Sequence, residues 1–106
     1  MTNPHATAEQ IVNESHYLER MAKHGVPEAL REGLVRYLVH RVPPGHFLNA
    51  VLTNDLTGAV NRGDAESLGG LVNVVHFLVN EVTYMAWGSP ITVRVWLERN
   101  EFEGRL

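Results

Sequence analysis

The chain has 106 residues, 44% of them hydrophobic and 20% charged, with a formal net charge of -3 from nine Lys+Arg against twelve Asp+Glu. That length suits a single domain and the composition excludes wholesale disorder. Nothing gathers into a basic run that would neutralise a phosphate backbone, which disfavours nucleic acid as a partner; the absence of cysteine excludes disulfide frameworks, thiolate zinc sites and cysteine nucleophiles. In chain order, Thr7 with Gln10 three positions on forms a capping-box signature for a first helix. Its apolar stripe of Ile11, Leu18 and Met21 is sparse, so this helix is expected on the surface or facing a partner, and it should end at Gly25.

Pro27 suits the first turn of a second helix, in which Leu30, Leu34, Tyr37 and Leu38 make one apolar face. Pro43 and Pro44 stop it, because the residue before a proline is pushed out of the α region. Pro44 is then expected in the first turn of a third helix whose apolar face runs through Phe47, Leu48, Val51, Leu52, Leu56, Ala59 and Val60. Gly63 ends it and Asp64 caps the next. This fourth helix has the strongest periodicity, with Leu68, Leu71, Val72, Val75, Leu78, Val79 and Val82 predicted inward and Asn73, His76, Phe77, Asn80 and Glu81 on the opposite side. Gly69 and Gly70 near its start suggest a close approach by a neighbour.

After the connector TYMAW, Gly88, Ser89 and Pro90 predict a turn, an N-cap and a first helical turn. The following ITVRVWLE also alternates as a strand would. A lone strand has no partner, however, and Val93, Trp96 and Leu97 fit a helix, which is the expectation adopted. The fold class predicted is therefore all-α: one compact domain over 1–106 built as a bundle of four to five short helices, with 1–6 and 100–106 expected to fray. No leader of the basic-then-apolar kind opens the chain and no apolar run approaches the ~20 residues of a membrane span. A cytoplasmic protein with no membrane partner is expected, and a domain this small would gain from forming a homo-oligomer.

Catalytic signatures are missing. The six histidines lack helical metal-ligand spacing, although His40 and His46 straddle the double proline; no serine sits in a nucleophile elbow; no glycine-rich phosphate loop occurs. The expectation is a protein that is not an enzyme, with no cofactor and no metal. What stands out is the Asn54-Asp55 pair inside an otherwise apolar helical pattern, since both residues have below-average helix propensity. Two explanations compete: a solvated edge or a structural hydrogen bond from Asp55 to Arg62, to Trp87 or to the last helix, and a ligand- or partner-binding role. Trp87 and Trp96 flank the Ser89 cap and are candidates for an interface or a small core.

The stretches RYLVHRVPPGHFLNAVLTNDLTGAVNRGDAESLGGLVNVVHFLVNEV and WGSPITVRVWL, together spanning residues 36–97, resemble a family of small proteins of tailed bacteriophages and prophages. The shared pattern is PPGxFLxAVLxNDL, then AVxRxD, then WGSP and a final WL. The resemblance implies an early-type phage protein acting in the cytoplasm of the infected bacterium. By analogy with small phage proteins that bind stoichiometrically, it implies a non-enzymatic anti-defence protein whose partner is a host defence protein or a small nucleotide messenger. A host-protein-binding adaptor and a DNA-associated regulator are the alternatives. The candidate binding surface on these grounds is Arg41, His46, Asn54, Asp55, Arg62, Asn80, Glu81, Trp87 and Ser89.

Overall fold

The structure is a computed structural model that describes residues 7–103. It is all-helical: α1 (Ala8–Lys23), α2 (Glu28–His40), α3 (His46–Leu52), α4 (Leu56–Arg62), α5 (Ala65–Gly69), α6 (Leu71–Glu81) and α7 (Pro90–Glu103). The radius of gyration, 13.3 Å, matches the ~13 Å of a folded domain of roughly 100 residues. α1 packs against α2 and α6, and α3 against α4 and α2. The predicted fraying at both ends lies largely outside the described residues, except that α7 continues to Glu103.

Several boundaries follow the predicted chemistry. Thr7 Oγ1 accepts from the Gln10 amide at 3.1 Å while Gln10 Oε1 accepts from the Thr7 amide at 2.9 Å, a complete capping box. Gly25 sits at φ 73, and the Gly25 and Val26 amides donate to the Ala22 and Met21 carbonyls, which closes α1 with a Schellman turn. Asp64 caps α5 through the Ser67 amide, and Ser89 Oγ caps α7 through the Thr92 amide at 3.1 Å. The segment that alternates like a strand is helical, because Val93 and Trp96 go inward together while Ile91 and Val95 face out.

Several expectations are corrected. The helices number seven among the described residues, against the predicted four to five, because two predicted helices are each broken in the middle. Pro27 is the N-cap of α2 rather than a first-turn residue, its ψ of 137 being extended and not helical, and its ring lies where a Cβ on Gly70 would stand. Pro44 likewise precedes α3, whose N-cap is Gly45. Finally, α6 is rotated from its predicted face: Val74, Phe77 and Leu78 are buried, while Val72 and Val79 are each 62% exposed. The rotation has visible causes. Asn73 Nδ2 donates to the Gly25 carbonyl at 3.0 Å, Phe77 meets Tyr17 and His24 edge-on, and Glu81 is held by α1.

The core runs through Met21, Val26, Leu34, Tyr37, Leu38, Phe47, Leu52, Phe77, Leu78 and Trp96. Burial of such side chains stabilises by roughly 1.5–3 kcal/mol each relative to exposure. Leu56 and Val60, predicted inward, are exposed on α4 because the break before that helix resets its direction. Among the described residues no helix is long and apolar enough to cross a membrane.

Candidate functional site

The Asn54-Asp55 pair marks the break between α3 and α4. Asn54 has φ 66, the left-handed conformation, and its amide donates to the Val51 carbonyl while the Asp55 amide donates to Ala50 at 2.8 Å. These are the two bonds of a Schellman turn, with asparagine in the place that glycine usually takes. Asp55 is simultaneously the N-cap of α4: its Oδ1 accepts from the Gly58 amide at 2.9 Å, and its Oδ2 lies 3.9 Å from Arg62 Nη1. A Cβ on Gly58 would collide with the Asp55 carboxylate and the Arg62 guanidinium, so glycine there makes room for the pair. The helix predicted to run through this point does not; the two polar residues turn the chain.

The other predicted residues fall into separate groups. Arg41, left-handed at φ 58, closes α2 and lays its guanidinium 3.4 Å from the centroid of Trp96, a cation–π contact. Trp96 Nε1 donates to the Tyr37 carbonyl at 3.2 Å. His46 is exposed at the start of α3. Asn80 donates to the His76 carbonyl of its own helix. Glu81, whose side chain is 13% exposed, accepts on one oxygen from Arg20 Nη2 and meets His24 Nε2, each at 2.7 Å. The hydrogen bond from Arg20, then that from His24, holds the Glu81 carboxyl down at a pKa of about 2. Ser89 is engaged with Thr92. Of the nine, the structure brings together Asn54, Asp55 and Arg62 alone among these described contacts.

A second surface emerges around the connector between α6 and α7, where Trp87 is the one residue of the candidate binding surface. Thr83 to Ala86 form a turn closed by the Ala86 amide on the Thr83 carbonyl at 3.1 Å. That turn is pinned from inside. Tyr37 Oη donates to the Ala86 carbonyl at 2.6 Å, in surroundings whose burial pushes the Tyr37 phenol upward, and the Gly88 amide donates to the Leu52 carbonyl at 2.7 Å. Ala86 is buried and Trp87 half-buried, so the tip residues Tyr84, 84% exposed, and Met85 project outward. Met85 Sδ lies 3.9 Å from Arg99 Nη1. Ile91, Val95 and Arg99 follow at four-residue steps, which places them along one face of α7. The turn and α7, tied by the Met85–Arg99 contact, thus expose a tyrosine, a methionine, an isoleucine and a valine, with exposed Arg94 and Glu98 on the same helix.

The alternation of ITVRV does not mark this surface, since Val93 alternates with Ile91 and Val95 yet is buried; the four-residue spacing of Ile91 and Val95 is what puts them on one helical face. Compared with protein-family models, curated proteins and solved structures, the chain matches none.

Proposed function

We propose that this chain is a non-catalytic binding protein that occupies a surface of a protein partner, using Tyr84, Met85, Ile91 and Val95 with Arg99 at the edge. The observation that carries this reading is the pinned turn at Thr83–Ala86, which holds a tyrosine and a methionine out in water. Tyr, Met and Arg are the residue types enriched at protein interfaces. A rigid turn that already holds them in place loses little conformational entropy on docking. The phage-type pattern supports a host protein as the partner and the bacterial cytoplasm as the setting.

Between the two partners that the sequence suggested, the protein is favoured over the nucleotide messenger. A pocket for a small polar ligand needs several polar groups converging on one cavity. Here Arg41 stacks on Trp96, Glu81 is taken by Arg20 and His24, Asn80 by its own helix, and Ser89 by Thr92. The test is capture from a bacterial lysate by immobilised wild-type chain and by Tyr84→Ala and Ile91→Asp/Val95→Asp variants, each checked for helicity by circular dichroism. A polypeptide retained in stoichiometric amount by the wild type should be lost from both variants. Truncating an interface tyrosine of this kind costs roughly 2 kcal/mol, on the order of 30-fold in Kd. Retention that ignores both variants, or a thermal shift with a cyclic nucleotide in their place, would overturn the reading.

A further inference from the structure

The chain contains no cysteine, so no thiol competes for an oxidant and its sulfur chemistry falls to methionine. A thioether keeps a lone pair that accepts oxygen, and the reaction follows exposure. Met21 and Met85, the two methionines among the described residues, are opposites: Met21 is fully buried in the core, whereas Met85 is 44% exposed on the turn between α6 and α7. Met85 is also held in place. Its amide donates to Thr83 Oγ1 at 3.3 Å, and the carbonyl of the next residue, Ala86, is fixed by Tyr37. Its Sδ lies 3.9 Å from Arg99 Nη1, and the Arg99 guanidinium lies 5.6 Å from the centroid of the buried Trp96 ring. A thioether is a weak acceptor, so the sulfur as it stands offers this cation little.

We propose that Met85 is an oxidation site, taking one oxygen from a hydroperoxide, and that Arg99 holds the sulfoxide that forms. With hydrogen peroxide the sulfur lone pair attacks one oxygen, the O–O bond breaks and an S–O bond forms. Sulfur gives up two electrons and the peroxide is reduced; the proton on the transferred oxygen passes to the departing hydroxide, which leaves as water. The new oxygen bridges the gap between Sδ and Nη1. It is a far better acceptor than the thioether, and its bond to the guanidinium is charge-assisted. Oxidation also makes the sulfur chiral. With the side chain in its present position, one epimer turns the oxygen toward Arg99 and the other turns it away, so Arg99 favours one product over the other.

The consequence for docking rests on the partner reading given above. Met85 belongs to that surface, where a flexible apolar side chain adapts to what it meets. The sulfoxide replaces it with a polar group committed to Arg99, and a partner shaped for the thioether leaves. The change is reversible by sulfoxide reduction, which makes Met85 an oxidant-sensitive control of the surface.

Treating the full chain with hydrogen peroxide and mapping its peptides by mass spectrometry tests the site. Oxygen should enter at Met85 on the order of 10-fold or more faster than at Met21, with the circular dichroism unchanged. The two classes of sulfoxide reductase each act on one epimer, so applied separately to the digested product they count the two forms. The wild type should give unequal shares, and Arg99→Gln a ratio closer to even. Equal rates at Met85 and Met21 overturn the proposal, and an epimer ratio that Arg99→Gln leaves unchanged overturns the role of Arg99. Capture from bacterial lysate reads the regulation. Loss of the retained polypeptide should follow the oxygen at Met85 and be reversed by the two reductases together; full retention by the oxidised chain overturns the control. A chain that captures nothing before oxidation sinks the partner reading and the control with it, while the mapping and the epimer ratio still decide the oxidation site.

Discussion

Asn54 and Asp55 compress the work of a loop into two residues, one ending α3 and the other starting α4. An L residue in the left-handed region brings Cβ close to the following carbonyl oxygen, at about 1–2 kcal/mol for most side chains and less for asparagine. Asn54→Gly should therefore fold as well as the wild type. Asn54→Val, with a branched Cβ at φ 66, should lose about 1–2 kcal/mol. Asp55→Ala removes the acceptor for the Gly58 amide and should cost about 0.5–2 kcal/mol, whereas Asp55→Ser keeps it. Urea denaturation with an unchanged m-value checks all four. The anomaly of this pair was legible in the sequence, but its resolution was not. A short polar residue amid apolar ones fits a solvated helix edge, a cap or a binding group equally well, and only the backbone reversal separates the three. Arg41 shows the same strain solved differently: nothing in its type suits φ 58, and its stacking on Trp96, 55 residues away, compensates the turn.

At the level of elements, the chain's punctuation was legible and its rotations were not. Proline, glycine and capping residues act within a few positions, so the ends of α1 and α2 and the starts of α5 and α7 could be placed from local sequence. Which side of α6 turns inward could not, because valine, leucine and phenylalanine occur on nearly every side and periodicity loses its power to choose. The choice was made by Asn73, Phe77 and Glu81 reaching α1 and the loop after it. The break at Gly70 belongs to the same scale. Gly70 is buried between α5 and α6, and the Pro27 ring occupies the space of its missing side chain. Gly70→Ala should destabilise by about 1–3 kcal/mol through overpacking, even though alanine is the better helix former. Gly69→Ala, with open space around its Cβ position, should be neutral or stabilising. Paired thermal melts of the two variants give the comparison, and equal losses would remove Pro27 from the explanation.

For the molecule as a whole, the tie between α1 and α6 depends on a carboxylate that no sequence spacing reveals, since Arg20 and His24 lie 61 and 57 residues from Glu81. α1 buries only Met21 completely, and this ion cluster joins the Glu14–His40 contact at 2.9 Å and the packing of Tyr17 on Phe77 in holding the helix in place. Its pH dependence follows from the Glu81 value, which falls from an ordinary 4.5 to about 2 in the folded state. The unfolded chain thus takes up the proton first as acid is added. The contribution of Glu81 to stability is complete above the unfolded value and is lost as the pH drops through the folded one. Asp64, held low by the Ser67 amide, loses its helix cap in the same direction, so acid sensitivity of the wild type alone would not identify Glu81. The difference between wild type and Glu81→Gln does. At neutral pH the variant should unfold at lower urea, with Arg20 and His24 deprived of their carboxylate. Between pH 4.5 and about 2 the two midpoints should converge, as the wild type surrenders by protonation what the variant already lacks. A gap that stays constant across that window would mean Glu81 acts through packing alone, and that the charge between α1 and α6 contributes nothing to holding the fold.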